Sequence, residues 1–324
     1  MRLPFRQTPG DLAVFDTTGA EAAELLRAGP EVADELAAAG LQHRRDADHG
    51  PLFDYSDVVN TALRQGTGMT VPELAQRLLM RFAAGDPDGW HTPLEWTVAV
   101  RPVADPRGAS WRYAVPDLTA DGVRALDQDG VDPGPDGRQD GPYRARVRIT
   151  GDDHRVGDPA VQRLFDDVLG PLSASEVVYQ AIGERLRAAP GRAWTLGVAD
   201  CVVAARVLTD RLRRAGYRAR TRRGLLLGPI GNDHAWTEVW EDGAWRCLDP
   251  VFAHLGATHA RGNAAAFRAA CRGGRLNRLL PCAAEENAPL IAAPDGTAAP
   301  QWAFGAVTAR AVAAQASPVT SRSI

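Results

Sequence analysis

The sequence predicts an α+β fold: a helix carrying Cys201 packs on an antiparallel sheet carrying His234 and Asp249, with an additional N-terminal α/β region ahead of it. Three observations lead there. From Cys201, apolar residues recur at Val203, Ala204, Val207, Leu208 and Leu212, while Arg206, Asp210, Arg213 and Arg214 take the other face, the period of an amphipathic helix. His234–Trp240 and Ala244–Asp249 flank Asp242-Gly243, a strong short hairpin signal. Strand-like alternation marks Trp96–Arg101, Trp111–Val115 and Tyr143–Ile149.

In chain order, residues 11–90 read as mostly helical. Thr70-Val-Pro-Glu73 has capping-box spacing, Pro72 sits where an early helical position tolerates it, and Leu74, Leu78, Leu79 and Phe82 follow at helical intervals. Asp127 to Pro142 holds five Asp, four Gly and three Pro in sixteen residues, so it is expected to be a flexible loop. Its Asp127, Asp129 and Asp132 lack the spacing and closing Glu of a calcium loop. Ser173-Ala-Ser-Glu176 reads as a second capping box opening a helix with Val178, Ile182 and Leu186 on one face, ended by Pro190-Gly191. The Ala-rich stretch after Gly305 reads as one more helix. The expected division is 1–150 as an N-terminal region, helical and then stranded, with the loop at 127–142; 158–316 as the catalytic domain; and 317–324 as a disordered tail.

Composition narrows the chemistry. The 324 residues include 37 arginines and no lysine, which excludes P-loop ATPases, ordinary protein kinases, pyridoxal-phosphate enzymes and Schiff-base aldolases. A formal charge of −3 argues against a nucleic-acid partner. No run approaches the ~18 apolar residues of a membrane span, and the first ten residues have no secretory apolar core, so a cytoplasmic protein without a membrane partner is expected. Cys201, Cys247, Cys271 and Cys282 are 46, 24 and 11 residues apart, which fits neither a zinc pair nor a disulfide framework. Free thiols are the expectation.

The chemistry concentrates between Trp194 and Leu255. A cysteine opening a helix meets the positive end of the dipole and unpaired backbone N–H groups, which favours the thiolate and supplies half of an oxyanion hole. With Asp242-Gly243 at the turn centre, cross-strand partners have numbers summing to 485, so Trp236 faces Asp249, and Asp249 lies diagonal to His234 on the same side of the sheet. Diagonal neighbours are about 7–8 Å apart, within reach of a carboxylate–imidazole hydrogen bond. Cys201 opposite that pair completes a Cys–His–Asp triad, provided that no bulge shifts the register.

Here the chain resembles a family. Ala199-Asp-Cys201, then Ala215-Gly-Tyr-Arg-Ala-Arg220, His234-Ala-Trp-Thr-Glu-Val-Trp240 and Leu248-Asp-Pro250 are similar to the transglutaminase-like core, whose members read G-D-C, R-x-x-G-I-P-A-R, H-A-W-V-E-V and V-D-P in that order. Ala199 and Tyr217 depart from the pattern without removing a chemical group. The resemblance implies a papain-like site with Cys201 as nucleophile, His234 as base and Asp249 orienting the His. It also implies a second oxyanion donor from an upstream side chain, for which Trp194 and Gln180 are the candidates. No cofactor and no metal are implied.

Trp236 and Asp233 are pocket candidates, and Trp240 and Trp245 read as core or pocket wall. Cys247 reads as a packed thiol. Arg211, Arg213, Arg214, Arg218, Arg220, Arg222 and Arg223 put seven arginines in thirteen residues, either a solvated face or a docking patch for an anionic partner such as an acidic carrier protein. The resemblance covers both transfer and hydrolysis. What the resemblance implies, as the preferred reading, is amide-bond formation in secondary-metabolite (antibiotic) biosynthesis, on a small-molecule or carrier-bound acyl substrate with an amine acceptor. A cysteine amidase or peptidase and an inactive binding module are the alternatives.

Overall fold

The computed structural model describes residues 5–68, 70–100, 110–130, 133–134, 136–228, 231–259, 262–295 and 307–312. Helices α1 (Gly19–Leu26), α2 (Val32–Ala38), α3 (Tyr55–Gln65) and α4 (Val71–Ala83) supply the expected N-terminal helical content. Thr70 and Glu73 close the capping box at the start of α4, and Thr18 and Glu21 close another at α1. The mostly helical reading missed a three-stranded antiparallel sheet in the order β1-β3-β2, from β1 (Phe15–Thr17), β2 (His43–Asp46) and β3 (Gly50–Asp54). These strands have three to five residues, and β2 is largely exposed, so no alternation announced them.

A second antiparallel sheet joins β4 (Leu94–Val100), β6 (Val123–Gly130), β8 (Tyr143–Ile149) and β17 (Val307–Val312) in the order β17-β4-β8-β6. It overturns two expectations. Residues 127–130 are strand rather than flexible loop, because Asp127 and Asp129 pair in register with Arg146 and Arg144 of β8, opposite charges across the ladder. Further along, Arg138–Gln139 form β7, paired with β5 (Arg112–Ala114), which also pairs with β16 (Ile291–Ala292). Arg138 is buried and donates to the Leu290 carbonyl at 3.2 Å. Residues 131, 132 and 135 lie outside the described residues. The stretch after Gly305 is not a helix where described, since Val307–Val312 lines the edge of β4 and satisfies its backbone. The expected disordered tail at 317–324 lies outside the described residues.

The remaining elements frame Cys201. Asp158 caps α5 (Pro159–Ser173), whose Val161, Phe165, Val168, Leu169 and Leu172 are buried at helical spacing. Ser173 therefore closes a helix instead of opening one, and the chain turns through Ser175 at φ +59°. Next, β9 (Val178–Tyr179) runs parallel to β10 (Val198–Ala199), with α6 (Glu184–Arg187) and α7 (Pro190–Thr195) between them. Pro190 starts α7, where its missing N–H costs nothing, rather than ending a helix.

Helix α8 (Cys201–Arg214) packs on β11 (Ala219–Leu226) and β12 (Asn232–Glu241). Together with β13 (Ala244–Leu248), β14 (Arg272–Gly273) and β15 (Leu279–Pro281), these strands form a five-stranded antiparallel sheet in the order β14-β13-β12-β11-β15. Helices α9 (Pro250–His259) and α10 (Ala264–Ala270) complete this half. Its main core unites Phe165, Leu208, Phe252 and Phe267. A second core joins Trp96, Tyr143 and Ile149 to Leu225 and Leu280, tying the N-terminal sheet to β11 and β15.

Candidate active site

The hairpin follows the predicted register. Thr237↔Leu248, Glu238↔Cys247, Val239↔Arg246, Trp240↔Trp245 and Glu241↔Ala244 pair as expected, and Asp242 (φ +50°) and Gly243 (φ +77°) make the left-handed turn. The ladder stops one residue before the expected Trp236–Asp249 pair. Asp249 instead turns out of the sheet to open α9, its Oδ1 accepting the Phe252 N–H at 2.9 Å. The functional consequence survives: His234 Nε2 lies 2.6 Å from Asp249 Oδ2. Phe252 stacks on the imidazole, with ring centres 4.0 Å apart.

Cys201 is the first residue of α8, and Asp200 caps the helix by accepting the Val203 N–H at 3.0 Å. Cys201 acts on the same imidazole and favours its charged form. Cys201, His234 and Asp249 are 6%, 4% and 2% exposed, so their interaction is little screened by water. Burial alone would suppress the imidazolium. Asp249 outweighs burial, and with the hydrogen bond to Cys201 it raises the His234 pKa to about 10. The arrangement is a buried thiol and a charged imidazole fixed by a carboxylate, the geometry of nucleophilic acyl chemistry.

A cavity of about 180 Å³ opens beside Cys201. Its wall includes Tyr55, Leu63, Val71, Pro72 and Ala75 from α3 and α4, and Pro289, Leu290 and Ile291 from near the C-terminal end. It also includes a charged cluster, of which the sequence pattern singles out Asp200, Asp233 and Arg223 but not Glu184 or Arg187. Arg187 Nε reaches Asp200 Oδ2 at 2.5 Å, and its Nη1 reaches Glu184 Oε1 at 2.6 Å and Asp233 Oδ2 at 3.2 Å. Arg223 Nε reaches Asp233 Oδ1 at 2.9 Å, and its Nη1 reaches Glu184 Oε2 at 3.1 Å. Burial disfavours the Glu184 charge, but Arg223 and Arg187 together hold its carboxyl well below the usual range. The one sequence signal was the Glu184/Arg187 spacing of three on a helix.

The other predicted residues divide. Gln180 lines the cavity with its amide paired to the Arg6 backbone: Nε2 donates to the Arg6 carbonyl at 2.8 Å and Oε1 accepts the Arg6 N–H at 3.2 Å. Trp194 is not part of the cavity wall; it sits on α7 with Arg211 over its ring. Asp233 lines the cavity, whereas Trp236 stacks behind His234 and donates to Glu238 Oε1 at 3.2 Å. Strand alternation places Trp236 on the His234 side of β12 but two residues further from Cys201. Tyr179, beside Ala199 in the β9–β10 pair, also lines the cavity and was not foreseen.

The arginine cluster does not form one patch. Arg223 is buried in the cavity network, Arg220 and Arg222 pair with Glu238 and Asp117, and Arg213 pairs with Glu286. Arg218 lies over Trp240 and Trp245, while Arg211 and Arg214 donate to the Asp167 and Asp210 carbonyls. Alternation along β11 sends neighbouring arginines to opposite faces, which sequence clustering concealed. Cys247, Cys271 and Cys282 are buried, and burial pushes all three thiols up, Cys282 to about 12. Among the described residues, His154, Glu241 and Asp242 bring ligand-type atoms within 4.8 Å of one another, but Glu241 already accepts the Gly157 and Asp158 N–H groups.

No curated protein sequence matches the chain. Among solved structures, a candidate cysteine protease from Cytophaga hutchinsonii shares 14% identity at a TM-score of 0.34, over 68% of this chain and 88% of that one. A TGase crystal structure shares 15% identity at a TM-score of 0.19, over 41% and 46%. Residues 147–250, which carry Cys201, His234 and Asp249, match the family described as the transglutaminase-like superfamily, and this part of the chain is a transglutaminase-like domain.

Proposed function

We propose that the protein is a cysteine acyltransferase that forms an amide bond, on a small-molecule or carrier-bound acyl substrate of secondary metabolism. The observation that carries this reading is Cys201 at the head of α8, on a cavity, beside an imidazolium held by Asp249. The Cys201 thiolate attacks the acyl carbonyl carbon. The backbone N–H of Cys201 is assigned to the resulting oxyanion, with Gln180, whose Nε2 carries two hydrogens and which lines the cavity, as the second donor. Collapse breaks the bond to the leaving group, which takes the His234 proton, and leaves an acyl thioester on Cys201. An amine then attacks that carbonyl, the C–N bond forms, the C–S bond breaks and His234 recovers a proton. Apolar lining from Leu63, Val71 and Ala75 supports transfer over hydrolysis, because it limits water at the thioester.

The test supplies an acyl thioester with and without a primary amine and measures amide and free acid by chromatography. Amide as the main product, absent with Cys201→Ala, is expected. Free acid alone, at any amine concentration, would replace transfer by hydrolysis. No product and no acyl-enzyme would leave a binding module.

A further inference from the structure

The cavity wall is chemically divided. Helices α3 and α4 give it Tyr55, Leu63, Val71, Pro72 and Ala75, with no charged group among them. The charged residues in the wall are Glu184, Asp200 and Asp233 against Arg187 and Arg223, three carboxylates to two guanidiniums and so a net charge of −1. The hydrogen bonds leave carboxylate capacity unused: Asp200 accepts from Val203 N–H and Arg187, and each ionised carboxylate offers about four acceptor positions. Arg223 is 7% exposed and Glu184 is held ionised by both arginines, so the network is fixed. An excess negative charge in a partly desolvated cleft raises the local concentration of cations and repels anions.

From this division we infer that the cavity sorts the two halves of its substrate by charge: the α3–α4 wall takes an uncharged, apolar acyl group, and the acidic wall takes the amine as its ammonium ion. The assignment rests on the acyl-transfer reading. A dry apolar cavity of about 150 Å³ admits benzene, so the whole space of about 180 Å³ holds acyl group and amine together to about the bulk of six carbons or one ring. In the second half-reaction the ammonium loses two protons. One goes to His234, which is neutral after protonating the first leaving group, and the other goes to water. The nitrogen lone pair forms the C–N bond as the C–S bond breaks, restoring the Cys201 thiolate and the His234 imidazolium. A donor bearing a carboxylate on its acyl chain, or an acceptor bearing one beside its amine, meets the wrong charge.

The experiment reads the cavity through alkylation, without needing turnover. N-substituted chloroacetamides with hexyl, 4-aminobutyl and 3-carboxypropyl tails react with Cys201, Sγ displacing chloride, and each rate is divided by that reagent's rate with glutathione. Hexyl and aminobutyl are expected to exceed carboxypropyl by about tenfold or more. Salt at about 0.5 M should erode the aminobutyl advantage and spare the hexyl one, because only the first is Coulombic. Leu63→Trp should lower the hexyl-to-aminobutyl ratio and Asp233→Asn should raise it; the salt series on the native protein makes the same distinction if either variant fails to fold. Rates within twofold for all three tails, or carboxypropyl fastest, would overturn the inference while leaving the nucleophile intact. A Cys201 no faster than the thiols of the denatured chain with every reagent would instead overturn the acyl-transfer reading, and this inference with it.

Discussion

Asp249 has two jobs that one substitution separates. Oδ2 holds His234 Nε2 at 2.6 Å and Oδ1 holds the Phe252 N–H at 2.9 Å. Asparagine keeps one acceptor oxygen. If that oxygen stays on Phe252, the amide hydrogens face Nε2–H, and the imidazole loses a charge-assisted hydrogen bond of about 1.5–3 kcal/mol. At 1.4 kcal/mol per tenfold, Asp249→Asn should slow acylation of Cys201 by roughly 10- to 100-fold. The same change alters the pH dependence of stability. His234 is raised from 6.5 to about 10, so the stability that its charge contributes is complete below about pH 6.5, falls by about 1.4 kcal/mol per pH unit above it, and is gone once the pH passes about 10. Removing the carboxylate lets burial dominate and flattens that slope. Quenched-flow mass spectrometry gives the acylation rate, and urea unfolding between pH 6 and 10 gives the slope. Acylation within twofold of the native rate, with an unchanged slope, would refute the role assigned to Asp249.

Other consequences are independent of that pair. At pH 8 one thiol, Cys201, should react rapidly with iodoacetamide in the native protein and four in denaturant, because burial pushes Cys247, Cys271 and Cys282 up; peptide mapping that finds two or more thiols equally fast contradicts this. Arg223→Met leaves Glu184 and Asp233 sharing one guanidinium in a buried site and should cost about 3–5 kcal/mol in urea unfolding, whereas exposed Arg214→Ala should stay within about 0.5 kcal/mol. Burial and Asp54 raise the Asp57 carboxyl to about 7, against the Thr8 hydrogen bonds that lower it. The folded protein therefore keeps that proton while the unfolded chain has lost it, and stability falls as pH rises from about 3.8 to 7. Asp57→Asn retains an acceptor for Thr8 and should stabilise the protein by about 1 kcal/mol or more at pH 8; a loss of stability there contradicts the reading.

Sequence revealed the parts of this molecule that local rules govern. A two-residue Asp-Gly turn fixes the register of everything after it, so five cross-strand pairs and the meeting of His234 with Asp249 follow from counting. The amphipathic period of α8 likewise placed Cys201 at a helix end. Counting failed where the chain changes element: Asp249 leaves its strand because a helix begins at Pro250, and Ser173-x-x-Glu176 imitates a capping box at a helix that has just ended. Long-range assembly was invisible. Glu184 and Arg187 come from α6, Arg223 from β11 and Asp233 from β12, and only the folded chain brings Arg187 against both Asp200 and Asp233. Nor does any local pattern announce that Leu63 and Val71 end up in the same cavity as Cys201.

Everything proposed for this site requires that Cys201 carries the acyl group. Mixing the protein with a six-carbon acyl thioester, quenching in acid and mapping the peptides tests it directly. One added acyl mass is expected, on the peptide containing Cys201, and it should disappear on a chase with a primary amine as the matching amide accumulates. An acyl mass on another residue, or none on Cys201 while substrate is consumed, would contradict it.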